Sequence, residues 1–219
     1  MVQESTPKIP QYIADIMAQH GVRAGTAVVQ KTSDPTRFFS GHSALDEFLE
    51  GGLASGAVSE WGMPAGQGAR EIVLSIVGRV TAAEMLVLWV NGQDALEVYP
   101  PAWSARGVDL RFIRFATAKK PIELLKPVFL EPLFRLVVLD SPKNLSGEEW
   151  AFMARQARAM EVHVMVLQNF FLSGRRGNIW ARLRVNCRQR SNGVRGDGWQ
   201  LEAVRGTARQ PLDLRAIDM

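Results

Sequence analysis

Cysteine is almost absent from this chain. The single Cys187 among 219 residues excludes an internal disulfide framework, and a lone free cysteine of this kind is expected to point into a sheet. Histidine is nearly as scarce. His20, His42 and His163 are scattered and show no metal-ligand spacing, which argues against a zinc centre. No apolar run approaches the roughly 20 residues of a membrane-spanning helix; the longest are strand-sized. The opening residues, Met1 to Lys8, are polar, include Pro7 and carry no apolar signal core. That opening predicts a cytosolic setting. Internal repeats and low-complexity segments are missing as well.

What is present is a globular composition. Hydrophobic residues make up 47% and charged residues 22%, enough for a sizeable core in one domain. The net charge of +4 is unevenly spread. From Ser173 onward ten arginines face four carboxylates, a surplus larger than that of the whole chain. Arg175, Arg176, Arg182, Arg184, Arg188 and Arg190 are the candidates for contact with single-stranded DNA or an acidic partner. The alternative is a solvated sheet face with alternating arginines. Phe170 and Phe171 precede this region, where aromatic rings can stack on bases or finish the core.

Apolar periodicity predicts the elements. A helix over Ile9–His20 and a short strand over Thr26–Gln30 come first, followed by a turn at Ser33-Asp34-Pro35. A helix starts at Ser43 and runs toward Gly51-Gly52. Strands are expected at 57–61, 85–90, 110–115, 134–140 and 162–167, with helices at 72–80, 100–107, 121–129 and 146–160 between them. Continuous apolar strands alternating with helices predict a mostly parallel central sheet flanked by helices. The segments 181–187 and 198–205 alternate instead, joined by a turn at 191–196, and predict an antiparallel C-terminal edge.

The stretch Trp61-Gly62-Met63-Pro64-Ala65-Gly66-Gln67-Gly68-Ala69-Arg70 lies between a strand and a helix, the frame of a phosphate loop. In the register with Gly68 as second glycine, Ala69 stands where G-x-x-x-x-G-K-[ST] has lysine, and Arg70 where it has the hydroxyl. The lysine pairs with terminal phosphates and the hydroxyl holds magnesium; Ala69 does neither, and Arg70 cannot bind a metal cation. Gly62, Gly66, Gly68, Ala69 and Arg70 thus form a degenerate nucleotide loop whose backbone N–H groups could at most hold an anion.

In order, these pieces resemble the RecA ATPase family over nearly the whole chain. Ser40-Gly41-His42-Ser43-Ala44-Leu45-Asp46 with Gly51-Gly52-Leu53 is similar to its entry segment. Asn91-Gly92-Gln93-Asp94-Ala95-Leu96 lies where the family has D-A-E-x-A-L. Leu136-Val137-Val138-Leu139-Asp140-Ser141 is similar to the Walker B strand, and Leu167-Gln168-Asn169 falls at the N-Q sensor. The resemblance implies a RecA-like core over 33–219, preceded by an N-terminal helix and strand over 1–32. It makes Gln93, Asp140 and Gln168 former active-site positions. Gln93 replaces the glutamate that activates water, and a glutamine cannot accept that proton. With Ala69 and Arg70, three of four catalytic roles are lost together, so the expectation is a pseudo-ATPase with no cofactor and no catalytic residues.

Short RecA-like chains with broken phosphate loops resemble the ImuA family, accessory proteins of SOS mutagenesis; cell-division inhibitors of the SulA type are a weaker comparison. This resemblance implies a non-catalytic adaptor in translesion DNA synthesis, cytoplasmic and nucleoid-associated on DNA damage. Its implied partners are RecA, an ImuB-type Y-family-like polymerase homologue and, indirectly, an error-prone replicative-type polymerase. Thr26, Ala27, Val28 and Val29 are then the candidates for docking on RecA by strand addition; otherwise they fold onto the chain's own core. The rival functions are a RecA-type DNA-dependent ATPase with an unusual loop and a single-stranded-DNA-binding module.

Overall fold

The computed structural model describes residues 37–67, 69–92, 97–129, 132–174, 178–191, 197–206 and 210–215. The expected Ile9–His20 helix and Thr26–Gln30 strand, and with them Thr26, Ala27, Val28 and Val29, lie outside the described residues. So do Gly68, Gln93, Arg175 and Arg176.

The strands are β1 (Arg37–Phe38), β2 (Leu53–Ala54), β3 (Val58–Gly62), β4 (Val87–Asn91), β5 (Ile113–Thr117), β6 (Leu136–Asp140), β7 (His163–Gln168), β8 (Leu183–Ser191), β9 (Asp197–Arg205) and β10 (Leu212–Arg215). The helices are α1 (Ser43–Phe48), α2 (Arg70–Ala82), α3 (Pro100–Ser104), α4 (Pro121–Val128) and α5 (Gly147–Met160). Eight strands form one sheet in the order β10-β9-β8-β3-β7-β6-β4-β5. From β8 to β5 every pairing is parallel; β8, β9 and β10 pair antiparallel. The expected mixed α/β sheet is therefore present, with its antiparallel edge.

Burial explains why these runs are strands. Every residue of β3, β6 and β7 is buried, as strands covered on both faces must be. Alternate residues feed opposite cores. Leu136 and Val138 pack with Ile72, Ile76 and Val80 of α2 and with Leu45 and Phe48 of α1. Val137 and Leu139 pack instead with Ile122 and Leu125 of α4 and Trp150, Met153 and Ala157 of α5. Local signals set the ends of α5: Ser146 and Glu149 form a reciprocal capping box, and Glu161 closes the helix in the left-handed region at φ +52°.

Three local features differ from the sequence reading. Residues 110–112 form a 3-10 turn, with Asp109 accepting from the Arg111 N–H, and β5 starts only at Ile113. The pair β1–β2 forms a separate two-stranded ribbon. The polar segment 212–215 extends the antiparallel edge as β10.

Candidate functional site

The carboxyl ends of β3, β6 and β7 lie side by side, because β7 pairs with both β3 and β6 in parallel register. This is where open parallel sheets place ligands. The register brings Gly62 opposite Gln168 and Asp140 opposite Leu167. The turn after β3, Asp140 and Gln168 are thus assembled at one end of the sheet.

Arg70 is the first residue of α2, and its guanidinium turns back across that end. Nε donates to Asp140 Oδ2 at 2.9 Å and Oδ1 at 3.1 Å, and Nη2 donates to Oδ1 at 2.6 Å. Nη2 also donates to Ser141 Oγ at 3.0 Å, and Nη1 donates to the Met63 carbonyl at 3.3 Å. The Asp140 side chain is 3% exposed and that of Arg70 18%. Ser141 stands at φ +51°, and its hydroxyl donates to Asp140 Oδ1 at 3.0 Å. The Asp140 carboxylate and the neighbouring Ser141 hydroxyl are engaged by the chain's own arginine.

Part of the turn is held in the same way. The Met63 N–H donates to the Gln168 carbonyl at 2.9 Å, and the Gln67 N–H reaches the Pro64 carbonyl at 3.4 Å. The Ala65 N–H donates to Asn169 Oδ1 at 2.6 Å. Ala69, at the lysine position, is 2% exposed, in the apolar core. It caps α2 without a side-chain hydrogen bond. Gly66 makes its bend at φ +80° with open space around it. Gly62 is required by crowding: a Cβ there would overlap Asn186 Oδ1 and lie 2.9 Å from Leu172 N and Phe170 O. The residues present do not fit a nucleotide–magnesium complex. Arg70 is committed to Asp140 and Ser141, and the Met63 and Ala65 amides to acceptors within the chain.

A second charged cluster lies just below. Glu60, in the middle of β3, accepts from Arg184 Nε at 2.8 Å and from Gln168 Nε2 at 3.1 Å. The Arg184 and Glu60 side chains are only 4% and 7% exposed. Arg184 Nη1 also donates to the Ser173 carbonyl at 3.3 Å. Asn186, one position pair further along β8, exchanges two hydrogen bonds with the Leu172 backbone. Arg184 was grouped with the partner-facing arginines from sequence; its place is inside the fold, neutralising Glu60. The sequence reading did not use Glu60; a charge within a buried strand is the signal that could have pointed to such a partner.

The other described arginines of the group are exposed. Arg182 immediately precedes β8 and is exposed. Arg188 stands 4.7 Å over the Phe171 ring and 3.9 Å from Glu202. Arg190 pairs with Asp213 at 3.2 Å. Phe170 is 56% exposed. It borders a cavity of about 480 Å³ whose walls include Ser141, Asn144, Trp150, Gln168 and Asn169.

His163 opens β7, at the opposite end of that strand from Gln168. Its Nδ1 lies 2.8 Å from the Ala54 carbonyl and its Nε2 2.8 Å from Ser59 Oγ, while Trp61 Nε1 donates to the same hydroxyl at 2.9 Å. A carbonyl only accepts, so the ring proton sits on Nδ1 and Ser59 donates to Nε2. Burial lowers the His163 pKa to about 4. Among the described residues no cluster of His, Cys, Asp and Glu could hold a metal ion, and no helix is long and apolar enough to cross a membrane. A comparison with protein-family models returns no match, and neither does a comparison with curated proteins.

Proposed function

We propose that this chain is a non-catalytic RecA-like adaptor in SOS-induced translesion DNA synthesis, similar to the ImuA family. It binds RecA and an ImuB-type polymerase homologue and limits RecA filament growth. The observation that carries the reading is the Arg70 fork on Asp140: the acid that a RecA-type ATPase reserves for magnesium is neutralised by a fixed side chain. Ala69 in the apolar core adds that no ammonium stands ready for a phosphate. The order of the motifs along the chain supplies the RecA comparison and the partners it implies. Fluorescence titration with ATP–Mg, with and without single-stranded DNA, is expected to show no binding and no turnover. Adding the chain to growing RecA filaments should stop extension, and deleting residues 1–32 should abolish that effect while leaving the core folded. Steady ATP turnover, or filaments that grow unchanged, would overturn the proposal.

A single-stranded-DNA-binding role is the second reading, favoured by the exposed Arg182, Arg188 and Arg190, with Arg188 over the exposed Phe171 ring. Binding that weakens steeply with salt, and less steeply after Arg188 and Arg190 are replaced together, would support it. Salt-independent or undetectable binding would exclude it.

A further inference from the structure

We infer that Arg70 is a built-in cation: its guanidinium occupies an oxygen-lined cation site and holds the nucleotide-type end of the sheet in one state without any metal or nucleotide. The inference rests on the reading of this end as a nucleotide-type frame and adds how that frame is kept closed. Four oxygens converge on the guanidinium: both carboxylate oxygens of Asp140, Ser141 Oγ and the Met63 carbonyl. Carboxylate, hydroxyl and carbonyl oxygens are the donor set that magnesium and manganese take.

These oxygens come from two separate segments, the end of β6 and the turn after β3, and the arginine itself begins α2. One side chain therefore ties strand, turn and helix start together. An ionised carboxylate that is 3% exposed must have a cation beside it. In a phosphate-loop ATPase that cation arrives with the nucleotide and leaves with it, so loops after the strand can change state. Here the charge is covalently attached. The left-handed Ser141 and the glycine across from it, Gly92, which donates its N–H to the Asp140 carbonyl at 2.7 Å, stay in one arrangement whatever the nucleotide concentration. Any partner surface at this end is constitutive.

The inference makes the cation exchangeable in a variant. Arg70→Ser removes the guanidinium and supplies the hydroxyl that the phosphate-loop pattern has at this place. With manganese alone as the probe, bound Mn²⁺ read by electron paramagnetic resonance should rise to one ion per chain in Arg70→Ser. The wild type and the Arg70→Ser/Asp140→Asn double variant should bind at least about ten-fold more weakly. Mn²⁺ should also raise the melting temperature of the single variant and leave that of the wild type unchanged. If Arg70→Ser is recovered unfolded, refolding with Mn²⁺ should restore its circular dichroism, and the double variant should not respond. Equal Mn²⁺ uptake by the single and double variants, or refolding of neither, would overturn the inference. It fails separately from the adaptor reading: ATP turnover by the wild type sinks that reading, whereas an Arg70→Ser chain blind to Mn²⁺ sinks only this one.

Discussion

Replacing Arg184 by methionine should destabilise the fold severely, although sequence alone places this residue in a surface group. Methionine keeps most of the length and removes the charge. The change deletes the 2.8 Å bond to Glu60 and the 3.3 Å bond to the Ser173 carbonyl. It leaves a carboxylate with 7% exposure, held by the neutral Gln168 amide instead of a cation. Breaking one side of a buried pair costs about 3–5 kcal/mol, because the other charge stays behind unpaired. Against a total of roughly 5–15 kcal/mol for a domain, that is about a fifth of the stability or more. For a chain of this size it corresponds to a fall in melting temperature of roughly 6–20 °C. Removing both charges together, as Glu60→Leu with Arg184→Met, should cost far less than the sum of the single changes, since no charge is then stranded. Urea denaturation of the four members of this cycle gives the coupling, with an unchanged m-value showing that the transitions are comparable. An Arg184→Met loss below about 1 kcal/mol, or single effects that simply add, would refute the buried-pair argument.

His163 should make the protein acid-sensitive. Its folded pKa, near 4, lies below the ordinary value of 6.5, so the unfolded chain binds the proton first. Its stabilising contribution is complete above about pH 6.5 and is lost as pH falls toward 4, by up to about 3 kcal/mol. Urea midpoints at pH 7.5 and 4.5 should show this drop, and His163→Gln should flatten it; an unchanged slope in that variant would assign the acid sensitivity elsewhere. Gly62→Ala should cost about 1–3 kcal/mol, because its methyl must displace both Asn186 and the 170–172 segment; a chemical-denaturation midpoint equal to wild type would show that both yield freely. Cys187 is fully buried, and burial pushes its thiol well above the ordinary range. It should resist a thiol reagent in native buffer and react in urea; rapid native labelling would contradict its place in the core.

The sheet was legible where burial on both faces writes continuous apolar runs, as in 136–140 and 163–167. It was illegible where pairing involves few residues: β1 and β2 have two each, too short for any period to show. Leu212–Arg215 has one buried residue among four, and only its pairing to β9 makes it a strand. The 3-10 turn at 110–112 hid inside an apolar run because its determinant is the Asp109 side chain, not the hydrophobic pattern. At the site, the degenerate turn and Asp140 could be read locally. That Arg70 meets Asp140 could not, since 70 positions separate them and only the parallel register closes the gap. Glu60 offered a warning, as a carboxylate in an apolar strand, but its partner lies 124 positions away.

The arginine surplus of the C-terminal region illustrates the same point on one strand. Asn186, Arg188 and Arg190 alternate along β8 and share a face, while Val185 and Cys187 enter the core on the other. Read as a pattern, this is one polar face. The structure divides it, because the segment after β7 lies across part of it: Leu172 pairs with Asn186 and Ser173 accepts from Arg184. Beneath that cover Arg184 is desolvated and needs Glu60. At its margin Arg188 touches the Phe171 ring but stays about half exposed, and beyond it Arg190 stays in water; they lie beside Glu202 and Asp213. Exposed pairs of this kind contribute about 0–1 kcal/mol and are screened by salt, so a phosphate or an acidic side chain of a partner can replace those carboxylates at little cost. Arg184 cannot make that exchange without exposing Glu60. The division between arginines that build the fold and arginines that can meet a partner is therefore set by which residues the 170–174 segment covers, not by the spacing along β8.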